Sequence, residues 1–171
     1  FASRVTLVVL GLLLSACSTQ SSQTDVKLSR TGSWVLLPLV NLAQAPQAAE
    51  GAEQILFSVL AANGLTVTPA PQQQQPADEF PLEDSQRLQQ ALQWARQRGD
   101  TYAITGSVEE WQYKSGLDGE PAVGITLRVI EPASGRILWS ASAARAGWSR
   151  ESLAGAAQTV LESLVADLPL Q

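Results

Sequence analysis

The sequence contains no histidine and only one cysteine among its 171 residues. Histidine is the side chain that most often acts as a general base near neutral pH, and histidine and cysteine are the usual zinc ligands. The sequence has no Gly-x-Ser-x-Gly motif and no glycine-rich nucleotide loop, and its only lysines, Lys27 and Lys114, lie outside any phosphate-binding motif. These absences argue against an enzyme, and we predict no catalytic residue, no metal site and no cofactor.

Neighbouring carboxylates are the remaining pattern that an enzyme could use. Pairs such as Asp78-Glu79 and Glu109-Glu110 would supply the two carboxylates that glycosidases need. Adjacent acids in a loop more often only keep that loop solvated. We therefore interpret the chain as a protein that binds, positions or assembles.

Basic side chains are few as well. The chain has 11 lysines and arginines against 16 acidic residues, which gives a formal net charge of −5. Nucleic acid attracts basic surfaces, so the composition argues against it as a partner. An acidic protein instead suits a cationic partner.

The single cysteine, Cys17, follows an apolar N-terminal segment. Residues 1–16 place one arginine before about ten apolar residues, too few for a bilayer span of roughly 20 residues, so we predict a targeting segment. The stretch Leu-Ser-Ala-Cys at 14–17 resembles a bacterial lipobox, although a plain secretory signal is the alternative. The resemblance implies cleavage before Cys17, lipid on Cys17 and, because Ser18 follows, sorting to the outer membrane. Each buried acyl carbon contributes about 0.8 kcal/mol, so such an anchor is effectively permanent.

Residues 17–32 are small and polar and predict a flexible tether that ends in the globular domain 33–171. A coil of this length spans roughly 20 Å, so the domain would stay close to its membrane. We predict that residues 33–171 form one α/β domain, with a mixed five-stranded sheet, the element order β-α-β-α-β-β-β-α, and helices packed on the sheet. The apolar run 33–41 predicts a strand covered on both faces. Alternation and helical spacing predict strands at 101–113, 121–131 and 136–146 and helices at 85–98 and 150–168.

Acidic residues concentrate in two segments between these elements. Asp118 and Glu120 lie in the stretch SGLDGEP, and Asp78 and Glu79 lie in the proline- and glutamine-rich loop 71–84. Asp-Gly is a preferred hairpin turn, so a purely structural role is the simpler interpretation of Asp118. The functional alternative is an acidic surface offered to a cationic ligand.

Trp148 stands between Arg145 and Arg150, just before the last predicted helix. If Ser149 caps that helix, Trp148 and Leu153 occupy the positions of a hydrophobic staple, and the tryptophan simply packs there. With a membrane nearby, Trp148 could instead lie at the bilayer interface while the arginines bind lipid phosphates. Both interpretations stay open. Trp94 and Trp111 are likewise candidates for either a subunit interface or core packing.

The lipobox, the tether, the stretch VLLPLVNLAQAPQAAEGAEQILFSVLAANGL and the hairpin LRVIEPASGRILWSASA resemble small outer-membrane lipoproteins, a group that includes LpoB and the N-terminal domain of TolB. Within this group the chain is most similar to the PelC family, the lipoproteins of Pel exopolysaccharide export, which share its size, its short tether and the tryptophan before the last helix.

This resemblance implies a dodecameric ring on the periplasmic face of the outer membrane, beneath a PelB-type β-barrel exporter, that serves export of a cationic biofilm polysaccharide. Trp148 would face the bilayer, and acidic residues including Asp118 would line an electronegative funnel. An LpoB-like activator of a peptidoglycan synthase is the main alternative, but a tether of this length is too short to cross the periplasm. An auxiliary lipoprotein subunit of an envelope transporter is a third possibility.

Overall fold

The computed structural model describes residues 20–22, 26–71, 83–115, 119–147 and 150–171. The strands are β1 Gln20–Ser22, β2 Trp34–Asn41, β3 Val67–Pro69, β4 Tyr102–Tyr113, β5 Pro121–Glu131 and β6 Arg136–Ala146; the helices are α1 Ala48–Ala62, α2 Asp84–Arg98 and α3 Leu153–Ala166. The strands form one sheet in the order β1-β6-β5-β4-β2-β3.

Parallel and antiparallel pairing meet at β4. Strand β2 pairs in parallel with both β3 and β4, whereas β4, β5 and β6 form an antiparallel meander. Strands β2 to β6 and the three helices confirm the predicted α/β fold and its element order. Strand β1 adds three residues along the outer edge of β6 and was not predicted.

Helices cover the two faces of the sheet unequally. Helices α1 and α3 pack on one face and bury the main core, in which the alternating side chains of β5 lie against α3. Helix α2 packs on the other face, where Ala91 and Ala95 contact Val35 and Leu37 of β2. Strand β2 is therefore covered on both sides, as its continuous apolar run predicts.

Residues 26–32, which the predicted tether includes, contact the domain through Leu28. Leu28 is fully buried in the main core. Its N–H donates to the Pro169 carbonyl at 2.9 Å, and its own carbonyl accepts from the Gln171 N–H at 3.0 Å. The sequence of this segment did not predict the contact, because the partners of Leu28 lie at the other end of the chain.

The predicted signal segment and Cys17 lie outside the described residues. Among the residues that are described, no helix is long and apolar enough to cross a membrane.

Candidate functional site

One end of the sheet collects most of the acidic side chains. We define the acidic end as the end at which β2, β4 and β6 finish and β5 begins. Within the described part of the chain it holds four basic residues (Arg87, Lys114, Arg145 and Arg150) and eight acidic ones: Glu50, Glu53, Glu83, Asp84, Glu109, Glu110, Glu120 and Glu151.

Three of these carboxylates surround Arg87 where β2, α1 and α2 meet. Arg87 forms ion pairs with Asp84 at 3.2 Å and with Glu50 at 3.4 Å. The second oxygen of Asp84 accepts the Asn41 N–H at 2.8 Å. These contacts join the start of α2 to the end of β2, so the acids are held in place by backbone as well as by charge.

Glu53 is the third carboxylate of this group. Its Oε1 accepts the N–H of Leu39 at 2.8 Å, which satisfies a donor in the middle of β2. Burial raises the pKa of Glu53 above its ordinary value, and the Leu39 N–H and the charge of Arg87 only partly oppose that rise.

The β4–β5 connection brings further acids to the same end. Glu110 lies opposite Gly124, and Glu109 is the extra residue at a register shift in β4, where its Oε1 accepts from the Ser107 hydroxyl at 2.6 Å. Glu120 is exposed, and its carbonyl accepts the Lys114 N–H at 2.7 Å. Asp118, Asp78 and Glu79 lie outside the described residues, and their predicted role stays a prediction.

The opposite end of the sheet has more basic than acidic side chains among the described residues. Its acidic side chains are Asp100, Glu131 and Asp167, and its basic ones are Lys27, Arg30, Arg96, Arg98 and Arg136. Two of the acids are neutralised locally, because Arg98 contacts Asp100 at 3.0 Å and Arg136 approaches Glu131 at 3.7 Å. The described domain is therefore polarised along its strands, which net charge alone did not predict.

The connection between β6 and α3 forms a tight corner at the acidic end. Arg145 forms an ion pair with Glu151 at 3.2 Å, and no described residue accepts a hydrogen bond from the buried Nε of Arg145. A Cβ on Gly147 would lie against a carboxylate oxygen of Glu151 and 2.7 Å from Pro121 Cγ, so a side chain there would require Glu151 and Pro121 to shift. Arg145 is thus largely engaged within the domain, whereas Arg150 is exposed.

The cap of the last helix is Ser152. Helix α3 begins at Leu153, and the Ser152 hydroxyl accepts the Gly155 N–H at 3.0 Å. A hydrophobic staple joins the residue before the cap to the fourth residue of the helix. With Ser152 as the cap, the residue before the cap is Glu151, so Trp148 and Leu153 do not occupy the staple positions. Trp148 and Ser149 lie outside the described residues, and the membrane-facing role of Trp148, Arg145 and Arg150 stays a prediction.

Two other tryptophans are accounted for by packing. Trp111 packs against the main core, and its ring lies 3.6 Å from the position that a Cβ on Gly51 would take. Trp94 contacts the smaller cluster under α2, and the Arg98 guanidinium lies 4.7 Å from the ring centre. These contacts favour the core-packing interpretation of both.

Solved structures provide the comparison with known proteins, since no protein-family model and no curated protein matches the chain. Two crystal forms of the PelC dodecamer from Paraburkholderia phytofirmans are 31% identical, with a TM-score of 0.74; the match covers 91% of this chain and 99% of theirs. The lipoprotein GNA1162 from Neisseria meningitidis shares the fold at 17% identity and a TM-score of 0.60, over 79% of this chain and 96% of that one. The identity and coverage of the first match confirm the resemblance: this chain belongs to the PelC family.

Proposed function

We propose that the protein is a lipid-anchored component of an exopolysaccharide export system, assembled as a ring on the periplasmic face of the outer membrane. The ring guides a cationic polymer towards a β-barrel exporter and so serves formation of the biofilm matrix. The observation that carries this proposal is the concentration of carboxylates at one end of the domain. The 31%-identical relative is a dodecamer, so a similar assembly of this chain would repeat that end around a ring. No bond is broken in this activity.

The acidic end provides the guiding surface. Repeated around a ring, its carboxylates form a continuous negative rim that concentrates a cation locally and steers it. The attraction is weak at each site and screened by salt, so a polymer can move from one subunit to the next. Asp118, Glu120, Asp78 and Glu79 would add to this rim.

The direction of strand β1 supports an orientation in which the acidic end faces the membrane. It runs antiparallel to β6, with Gln20 opposite Ser142 and Ser22 opposite Ser140, so the chain leads back from Gln20 towards the acidic end. Cys17 precedes Gln20 by three residues, about 10 Å of extended chain. This direction supports a lipid anchor beside the corner that carries Trp148, whose ring would then lie at the bilayer interface.

The guiding role is tested by removing charge at one end of the domain at a time. Glu120→Gln and Asp118→Asn should lower the amount of secreted polymer while membrane attachment and assembly persist. Glu131→Gln is the matched control, because it removes the same charge at the opposite end. Equal export from all three variants, or an equal loss, would contradict guidance by the acidic end.

The membrane contact of Trp148 has a separate test. Trp148→Ala should weaken export and reduce quenching of the protein's tryptophan fluorescence by brominated lipid, while the thermal unfolding midpoint stays unchanged. Trp94→Ala removes a tryptophan that packs under α2 and should leave the lipid quenching unaltered. Unchanged export and unchanged quenching in Trp148→Ala would contradict this placement.

A further inference from the structure

One face of β5 and β6 carries mostly short side chains, and none of the described helices packs on it. The register places Gly124 opposite Ala144 and Thr126 opposite Ser142, and the two hydroxyls of the latter pair lie 2.8 Å apart. Among the described elements, α3 packs only on the other face of these strands, and α2 packs against β2. We define the open sheet face as Gly124, Thr126, Arg128, Ser140, Ser142 and Ala144.

The opposite side of the domain is the outward surface of α1 and α3. Phe57 of α1 is 39% exposed, an unusual position for a large apolar side chain, and Ala61 lies one turn further along the same helix. On α3, Gln158 donates to Glu162 Oε1 at 2.9 Å. Phe57 and Glu162 are each the tenth residue of helices that start at the same end of the sheet. We define the outer helix face as Phe57, Ala61, Gln158 and Glu162.

These two surfaces each carry one charge, and the charges are opposite. Arg128 is the only charged residue of the open sheet face, and it forms no ion pair with any described residue. Glu162 is the only charged residue of α3. The sheet and the helix layer separate the two side chains within one copy, because Arg128 and α3 lie on opposite faces of β5.

We propose that a second copy of this chain covers the open sheet face: the outer helix face of one subunit docks on it, with Glu162 of one copy paired to Arg128 of the next. This inference rests on the ring of the proposed function and names the contact that builds it. A ring requires two different surfaces on roughly opposite sides of each subunit, and these two meet that condition. Phe57 would lie on the short side chains of the neighbour, and the ion pair would set the orientation of docking.

Charge reversal tests the contact in the full lipidated protein, extracted from membranes in mild detergent and weighed by native mass spectrometry. Arg128→Glu and Glu162→Arg should each lower the ring fraction at least tenfold, since each places like charges together. The combined variant should restore the ring. Arg136→Glu is the control, because Arg136 lies outside both surfaces with 68% of its side chain exposed, and it should leave the ring unchanged.

Disulfide cross-linking keeps the test independent of whether a reversal disturbs folding. A chain carrying both Arg128→Cys and Glu162→Cys cannot close a disulfide within one copy, so mild oxidation should produce a ladder of covalent oligomers. Each single cysteine variant should give no more than dimers.

The outcomes separate the two levels of the proposal. A wild-type ring that survives both reversals, or a combined variant that fails to restore it while the cysteine pair gives no ladder, overturns this interface and leaves the ring intact. Wild-type protein that stays monomeric in membranes overturns the ring and the interface together.

Discussion

At the scale of single residues, Glu53 shows how the acidic end is held together. Its carboxylate satisfies the Leu39 N–H of β2 while it lies close to Glu50, Asp84 and Arg87. Burial disfavours the charged form, so the native state binds a proton at Glu53 more tightly than the unfolded chain does. The same side chain therefore both links α1 to β2 and makes that link sensitive to pH.

Glu53→Gln should reveal this sensitivity. Between the ordinary pKa of 4.5 and the raised pKa, Glu53 is protonated more often in the native state than in the unfolded chain. The contribution of Glu53 to stability therefore falls as the pH rises through that window. Glutamine keeps an oxygen for the Leu39 N–H and does not titrate. Urea unfolding of both proteins from about pH 4 to pH 7 should show wild type losing stability relative to Glu53→Gln as the pH rises. A difference independent of pH would contradict the assignment.

Gly106 is a second residue whose identity is dictated by its neighbours. A Cβ there would lie against the Thr126 carbonyl oxygen, 3.0 Å from the Thr126 carbonyl carbon and 3.1 Å from Leu127 Cα. These are backbone atoms of β5 and cannot rotate away. The two central strands therefore approach each other more closely at this point than any other residue allows.

Gly106→Ala should lower the free energy of unfolding by about 3 kcal/mol or more, as expected for overpacking against rigid backbone. Gly51→Ala is the matched control, since its Cβ would meet only the Trp111 ring at an ordinary 3.6 Å, within a helix. Because alanine favours helix, that variant should be neutral or gain up to about 1 kcal/mol. Denaturant unfolding measures the stability of both variants. A similar loss of stability in Gly106→Ala and Gly51→Ala would contradict the close approach of β4 to β5.

At the scale of elements, local patterns predicted the meander well and the helix ends less well. The bounds of β5 and β6 match the predicted 121–131 and 136–146, because alternation and a Pro-Ala-Ser-Gly turn are properties of the segment itself. The last helix was predicted to start at residue 150, but it starts at Leu153. Two serines compete as caps there, and the ion pair of Arg145 with Glu151 occupies the connection, which no local pattern reveals.

The cap of α3 can be tested directly. Ser152→Ala removes the acceptor for the Gly155 N–H and should lower the free energy of unfolding by about 1 kcal/mol. Ser163→Ala is the control, because it makes the same change on the exposed side of the same helix and should alter stability little. Thermal and urea unfolding measure both. Equal stability of Ser152→Ala and wild type would indicate that Ser152 does not cap the helix.

At the scale of the whole molecule, the candidate site depends on topology more than on motifs. The acids of the β2–α1–α2 junction and those of the β4–β5 connection are far apart in sequence, and the parallel pairing of β2 with β4 brings them to one end of the sheet. Glu120 was predicted as a functional acid from its turn, whereas Glu50 and Glu53 were not. Their roles follow from contacts with Arg87 and the β2 backbone, and a single sequence carries no signal for these contacts.

The two ends of the described chain are joined by the same kind of distant contact. Leu28 contributes to the core beside α3, and its backbone pairs with Pro169 and Gln171. A segment that serves only as a tether would contribute nothing to stability. The length of free chain between Cys17 and the domain is therefore shorter than composition alone predicted, which brings the domain closer to any membrane that holds Cys17.

Leu28→Ala tests whether this segment belongs to the domain. Leu28 is fully buried, so the lost contacts and the cavity should lower the free energy of unfolding by about 3 kcal/mol. Lys27→Ala alters the exposed neighbouring residue and should change stability by less than about 0.5 kcal/mol. Urea unfolding of the soluble domain compares the two with wild type. If Leu28→Ala were as stable as Lys27→Ala, residues 26–32 would act as a tether and would not contribute to the core.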